Sequence, residues 1–289
     1  MEPPHDLPYG RSVMIKTGDP RTLGVPPSEA RLHFDTELQE LGGGPRRRLL
    51  MVDDEPAFEL SFYCGTCPLL FRRLETAREK LSLESMQERL SGTLDDPDDG
   101  RVIDAFSALL PEGEYLPLLL SVEPQMVIPG KAGDYFSDEQ VTAWGVNQFW
   151  GLPEHPHTPY YRTFETAVDA DAHLYEFVVP MVPPTWNERE RVEEYVARME
   201  QGTVSTAVAV STLDVCQPAV SFGDDPSVHW GLTHFLLDGH HKLEAAATAD
   251  RPVRLLSLLA LGEGLAGADD CARLPALRAQ PRSARATGT

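Results

Sequence analysis

Five consecutive residues at the end of an apolar segment have side chains suited to holding an anion: Asp238, Gly239, His240, His241 and Lys242. We expect a strand before them and a helix after them. The first N–H groups of a helix lack intrahelical partners and, with the helix dipole, favour a bound phosphate or carboxylate. Gly239 removes a Cβ where the ligand approaches, and His240, His241 and Lys242 add donors and up to three positive charges. The pattern indicates an anion site, although a helix capped by Asp238, with surface histidines, fits the same residues equally well.

If this anion site were to transfer a phosphoryl group, it would also need a carboxylate near the acceptor hydroxyl and a divalent ion to offset the phosphate charge. Asp238 can orient a histidine or bind that ion, and His240 adjoins it, so both are catalytic candidates. Glu176, Glu188 and Glu190 lie near the preceding predicted strand and the start of the helix after it. Glu188 is the third catalytic candidate, and it also fits the last position of a helix capping box that begins at Thr185.

Two cysteines form a second candidate site, Cys64-Gly65-Thr66-Cys67, between a predicted strand and a predicted helix. Their thiolates could supply half of a tetrahedral zinc shell. The other zinc ligands would come from elsewhere in the chain: His155, His157, Cys216 or His173. A helix N-terminus also lowers the pKa of an exposed thiol, as a thioredoxin-like redox site requires. The spacing alone is compatible with three roles for the cysteines: structural zinc ligands, a redox pair, or inert buried thiols.

A group of aromatic residues could stack on a nucleobase: Trp144, Phe149, Trp150, Tyr160 and Tyr161. A hydrophobic core or a domain interface uses the same side chains, and it is the more common role for them.

The chain has 289 residues and a formal net charge of −20. A strongly acidic protein is repelled by phosphate backbones and anionic membranes, so neither nucleic acid nor a membrane is an expected partner. There is no run of about 18 apolar residues to span a membrane. The start, Met1-Glu2-Pro3-Pro4, lacks a secretory signal pattern, so we expect a cytoplasmic location.

Composition and hydrophobic periodicity predict an α+β protein with four parts. Residues 1–45 are a loop-rich segment with one short helix in 28–41, and 46–160 are a β-rich α+β region. A second α+β domain follows at 172–262, and the Ala-, Arg- and Pro-rich residues 263–289 are expected to be a disordered tail.

The first region begins with a predicted hairpin of strands at 47–52 and 57–63. A helix is expected to open at Cys67, because apolar residues recur after it at helical spacing: Leu70, Phe71, Leu74, Ala77 and Leu81. The second domain is expected to alternate strands at 174–181, 204–215, 229–237 and 253–260 with helices near 192–199 and 241–249.

The run Leu236-Leu237-Asp238-Gly239-His240-His241-Lys242-Leu243-Glu244-Ala245-Ala246, then Arg251-Pro252-Val253, resembles the Asp-Gly-His-His-Arg motif of ParB/sulfiredoxin-like domains. The double histidine is most similar to the free-serine-kinase-like branch. The resemblance covers about 174–260 and implies that Gly239, His240, His241 and Lys242 hold the phosphates of ATP or ADP, or of CTP, with Mg²⁺.

The sequence departs from the motifs of this family in three ways, which narrow the branches that it could resemble. Lys242 replaces the usual Arg, which loses bidentate phosphate geometry but keeps the charge. The Gly-Glu-Arg-Arg turn of partition proteins and a helix-turn-helix are absent, and the turn lacks the cysteine that sulfiredoxins use.

The sequence therefore predicts a nucleotide-binding protein that transfers a phosphoryl group to a small molecule or hydrolyses the nucleotide. One alternative is a non-catalytic nucleotide sensor or protein-interaction module on the same fold. The other is a thiol oxidoreductase, or a zinc-stabilised protein, centred on Cys64 and Cys67.

Overall fold

A computed structural model describes residues 12–37, 47–61, 70–144, 156–217 and 228–283, and these form an α+β protein with two β-sheets. The Cys64–Cys67 turn and His155 lie outside these residues. No helix in the described ranges is both long and apolar enough to cross a membrane.

The described strands, in chain order, are β1 (Val13–Thr17), β2 (Arg21–Leu23), β3 (Leu32–Glu37), β4 (Arg47–Val52), β5 (Glu55–Leu60), β6 (Phe71–Arg73), β7 (Gly113–Val122), β8 (Gln125–Val127), β9 (Tyr160–Ala167), β10 (Ala172–Pro180), β11 (Thr206–Cys216), β12 (Val228–Asp238) and β13 (Val253–Ala260). The described helices are α1 (Gln87–Leu90), α2 (Gly100–Ser107), α3 (Glu139–Trp144), α4 (Arg189–Glu200), α5 (His240–Ala249) and α6 (Ala268–Arg278). Two short 3₁₀ turns cover Glu84–Met86 and Pro184–Trp186.

The larger sheet has the strand order β1-β7-β13-β11-β12-β10-β9-β8, and β2 also pairs with β7. Its centre is mixed: β10 is parallel to β12, β11 is parallel to β13, and β11 and β12 are antiparallel. Helix α4 connects β10 to β11, and α5 connects β12 to β13. The four central strands are apolar and buried along nearly their whole length, as expected for strands covered on both faces.

Each face of this sheet has its own hydrophobic core. On one face, Leu232 of β12 belongs to a cluster with Leu243 of α5 and Leu274 of α6. On the other face, Phe235 of β12 packs on Phe58 of the smaller sheet, with ring centroids 5.1 Å apart. The smaller sheet has the order β3-β4-β5-β6. It therefore covers the side of the large sheet opposite α4, α5 and α6.

Strands from both predicted regions belong to the large sheet. β7 pairs with β13, and β9 pairs with β10, each antiparallel. The element order β10-α4-β11-β12-α5-β13 agrees with the order predicted for 174–260. The pairing across the predicted boundary arises because the buried edges of β10 and β13 need partners for their backbone groups.

Two predicted helices in the N-terminal half are wrong where the structure describes them. The segment 28–41 contains strand β3, and the segment after Cys67 forms strand β6 followed by irregular chain. Phe71 and Leu81 are buried. The apolar spacing that predicted a helix is therefore explained by the burial of these residues from an extended chain. The predicted hairpin is confirmed as β4 and β5, with left-handed residues Asp53 and Asp54 at its turn.

The expected disordered tail instead contains helix α6. Its Leu274 and Leu277 are buried, and its Arg278 forms an ion pair with Glu176 of β10 at 2.5 Å. Both charged side chains are fully buried. Thr163 also donates a hydrogen bond to Glu176 at 2.6 Å. Burial alone would raise the pKa of Glu176, but Arg278, His234 and Thr163 outweigh it and lower that pKa to about 2. Glu176 is thus an ionised structural residue rather than a base for catalysis.

We expect Arg278→Leu to lower the free energy of unfolding by about 3–5 kcal/mol, because it leaves a buried carboxylate without its cation. Urea denaturation at pH 7 measures this loss. The matched control is Arg273→Leu on the same helix, whose ion pair with Asp169 is exposed. Such pairs contribute about 1 kcal/mol or less. Equal losses in the two variants would contradict a structural role for the buried Glu176–Arg278 pair. The double variant Glu176→Gln/Arg278→Leu should recover part of the stability.

Candidate anion-binding site at the start of α5

Gly239 makes the sharp turn between β12 and α5. Its φ is +100°, in the left-handed region that glycine tolerates best. A Cβ at this position would lie 2.7 Å from the Cβ of Ala207 and 3.0 Å from its Cα, on neighbouring β11. Glycine is therefore required both by backbone conformation and by space. Gly239, rather than Asp238, is the N-cap of α5, so the N-cap residue contributes no side-chain hydrogen bond to the helix.

Lys242 and Asp238 neutralise each other inside the protein. The Lys242 Nζ donates to Asp238 Oδ2 at 2.8 Å and to the Thr206 carbonyl oxygen at 2.9 Å. Both side chains are less than a tenth exposed. Burial lowers the pKa of Lys242, and the Asp238 carboxylate opposes that change. Lys242 was predicted to contact phosphate, but in the structure it joins α5 to β11 and to the end of β12.

His240 is held as a neutral base. Its Nε2 accepts a hydrogen bond from the Met181 N–H at 3.3 Å, so the ring proton is on Nδ1. That Nδ1 is buried and has no hydrogen-bond partner in the part of the chain that the structure describes. Burial, reinforced by the charge of Lys80, lowers the pKa of His240 to about 3. His240 therefore adds no positive charge to the site, but its buried Nδ1–H donor has no acceptor among the described residues.

His241 has a similar structural bond. Its Nε2 accepts from the Glu188 N–H at 3.1 Å. Partial burial, then Lys80 and Arg191, lower its pKa, so this ring also favours the neutral form. The two histidines consequently bind the chain that connects β10 to α4 against the first turn of α5.

A pocket of about 150 Å³ opens at this first turn. All five motif residues, 238–242, line it, and so does Glu188. The pocket also receives Lys80 from the chain before α1 and Arg191 from α4. The structure thus brings the predicted binding residues together with the catalytic candidates Asp238, His240 and Glu188.

Lys80 and Arg191 are pocket cations that the sequence patterns missed. Lys80 is distant in sequence from the motif, and no local pattern marks it. Arg191 lies in the first turn of a predicted helix, so it could have been found once α4 and α5 were placed side by side. Burial lowers the pKa of Lys80, and Arg191 lowers it further while Glu188 raises it.

Glu188 is the N-cap residue of α4, but its side chain makes no capping bond. The expected capping box with Thr185 is wrong, because Thr185 lies in the preceding 3₁₀ turn. The Glu188 side chain is exposed at the pocket, and no ion pair to it is present among the described residues. Glu176 and Glu190 do not line this pocket.

Tyr160 and Tyr161, the predicted aromatic residues whose side chains the structure describes, do not line this pocket. Tyr160 and Tyr161 are buried in the two cores. Trp144 ends α3, and Phe149 and Trp150 lie outside the described residues. The core interpretation therefore holds for the two tyrosines.

The predicted zinc ligands can be placed only in part. His157 is exposed and has a left-handed φ of 62°. Cys216 and His173 are both opposite His229 in the large sheet, on β11 and β10 respectively. The Cys216 Sγ lies 3.8 Å from the Oγ of Ser61. Within the described ranges, no three potential ligands converge on a metal position.

No protein-family model, curated protein or solved structure matches this chain.

We expect acid to destabilise the protein through His240. The unfolded histidine binds a proton below pH 6.5, whereas the folded one does so only near pH 3. Stability from this group is therefore complete above pH 6.5 and falls by about 2 kcal/mol between pH 6.5 and 5. His240→Gln keeps an acceptor for Met181 but does not titrate, so its free energy of unfolding should fall less over that range.

Urea denaturation at pH 7.5, 6.5 and 5.0 measures the difference. Ile128→Ala, at an exposed residue that cannot titrate and does not line the pocket, is the control and should keep the wild-type dependence. Identical pH dependence in His240→Gln and the wild type would show that His240 does not stay neutral in the fold.

Proposed function

We propose that the pocket at the start of α5 binds the phosphates of a nucleotide. The observation that carries this proposal is the buried Nδ1–H of His240, which has no acceptor among the described residues and belongs to a residue lining the pocket. An unsatisfied buried donor costs about 1–3 kcal/mol, and an anion in the pocket would remove that cost. The uncapped N–H groups of α5 offer further donors to the same ligand.

Lys80 and Arg191 supply the positive charge for this ligand. Lys242 cannot, because Asp238 already neutralises it, and the two histidines are held neutral by their backbone bonds. The guanidinium of Arg191 suits bidentate binding of phosphate oxygens. Lys80, whose charge is partly desolvated, would gain from a nearby anion.

The size of the pocket suits phosphate groups rather than a whole nucleotide. Its volume of about 150 Å³ is below the roughly 300–1,000 Å³ typical of small-molecule sites. The phosphates would occupy the pocket, and the nucleoside would lie outside it. This arrangement is compatible with the phosphate role that the resemblance to ParB/sulfiredoxin-like domains implies for 238–242.

Glu188 is the best-placed carboxylate for phosphoryl transfer to a small molecule. It lines the pocket with its side chain exposed, whereas Asp238 is engaged by Lys242. It could accept the proton of an acceptor hydroxyl or contact Mg²⁺ that arrives with the nucleotide. Mg²⁺ is commonly bound by one or two carboxylates together with substrate phosphates, so a single acidic residue fits that mode. Asp238 and His240 then position the turn rather than react.

ATP, ADP or CTP with Mg²⁺ is expected to raise the melting temperature of the protein. Lys80→Ala and Arg191→Ala should each weaken nucleotide binding about tenfold or more, because each removes a charge-assisted contact. Lys131→Ala, at an exposed lysine outside the pocket, is the control and should bind normally. Thermal shift and isothermal titration calorimetry measure these effects. If no nucleotide stabilises the protein, the proposal fails.

An assay for nucleotide turnover distinguishes an enzyme from a non-catalytic nucleotide sensor. Glu188→Gln should retain nucleotide binding but lose phosphate release, or lose formation of a phosphorylated amino acid. Stabilisation of the wild type without any turnover would support the non-catalytic sensor instead.

A zinc site is a second candidate, because of the contact between Ser61 and Cys216. Ser61 is only three residues before Cys64 in the sequence. Cys216 is opposite His229, which is opposite His173, so these strands bring thiol and imidazole groups to one part of the sheet. Cys64, Cys67 and Cys216, with one of these histidines, would complete a tetrahedral Cys₃His shell.

Purified protein is then expected to contain one zinc ion per chain by elemental analysis. Cys64→Ser and Cys216→Ser should lose it, whereas Cys271→Ser, on the face of the sheet covered by α6, should keep it. Zinc-free protein would contradict this site. In that case, a Cys64 or Cys67 thiol that titrates well below about 8.5 would support the redox alternative.

A further inference from the structure

Trp186 is the one exposed residue among the Phe, Tyr and Trp residues whose side chains the structure describes. Half of its surface is accessible. An isolated exposed apolar residue is common and has no meaning by itself. Trp186 differs because it belongs to the 3₁₀ turn Pro184–Trp186, which leads directly into the phosphate pocket.

The turn that bears Trp186 is fixed to the first turn of α5. The next residue, Asn187, donates from Nδ2 to Glu244 Oε2 at 2.8 Å and to the His240 carbonyl oxygen at 3.4 Å. The residue after that, Glu188, donates its N–H to His241. Glu188 lines the pocket, and its Cα is within about 7.6 Å of the Trp186 Cα because only two peptide units separate them.

The turn is also rigid on its other side. The Trp186 N–H donates to the Pro183 carbonyl oxygen at 2.9 Å, and Pro184 has a fixed φ. Arg189 donates to the carbonyl oxygens of Pro184 and Asn187. The indole is therefore presented on restrained backbone, so stacking a ligand on it would cost little conformational entropy.

We propose that Trp186 is the platform on which the base of the bound nucleotide stacks. This inference rests on the proposed phosphate pocket, and it adds the residue that would hold the base of the nucleotide outside that pocket. The pocket is too small for the nucleoside, so the base has to find its surface outside the pocket. Trp186 offers a flat apolar surface within reach of the pocket rim.

Isothermal titration calorimetry with ATP and with inorganic tripolyphosphate separates the base from the phosphates. Wild-type protein should bind ATP more tightly than tripolyphosphate. Trp186→Ala should weaken ATP binding about 5- to 150-fold, the range for base–aromatic stacking, and leave tripolyphosphate binding unchanged. Trp186→Phe should restore most of the ATP affinity. Ile128→Ala, at another exposed apolar residue, is the matched control and should bind both ligands normally.

Unchanged ATP binding in Trp186→Ala would overturn the platform but leave the phosphate pocket intact. Equal weakening of ATP and tripolyphosphate would also overturn it, because it would place Trp186 in the support of the pocket. Failure of wild-type protein to bind either ligand would remove the phosphate pocket itself, and the platform with it.

Discussion

The candidate site depends on the contact between Gly239 and Ala207. Because the backbone at Gly239 is left-handed and lies against β11 without a Cβ between them, α5 starts directly beside the first residues of that strand. This proximity lets Lys242 reach the Thr206 carbonyl oxygen and brings His240 and His241 to the chain before α4. Any side chain at Gly239 would displace the helix and break these bonds together.

The motif residues of the site are held mainly by hydrogen bonds to the backbone and by one internal ion pair. Both histidines accept hydrogen bonds from main-chain N–H groups, and Lys242 is matched by Asp238. Charge available to a ligand is left to Lys80 and Arg191 at the pocket. A preformed turn with a cationic rim would bind an anion with little reorganisation, which is the arrangement that favours tight and specific binding.

Buried ion pairs with a structural role also occur elsewhere in the large sheet. Glu176 and Arg278 are fully buried and paired, so they fasten α6 to the face that α4 and α5 also cover. Arg48 of the smaller sheet pairs with Asp214 of β11 at 2.9 Å, and both are buried. These two ion pairs lie on opposite faces of the sheet. Each holds a covering layer in one register, because a displaced layer would leave a charge unpaired in the core.

Local patterns in the sequence determined the strand, Gly-containing turn and helix around 238–242, and the order of elements from β10 to β13. Glycine conformation, β-branched runs and helical periodicity act over a few residues, so these features are readable without tertiary contacts. The tertiary structure decided what the local pattern could not: that the apolar residues after Cys67 form a strand, that α6 is held by Glu176, and that His240 is neutral. It also decided that Lys80 supplies charge to the pocket. Burial and long-range pairing set these outcomes, and both depend on residues far apart in the chain.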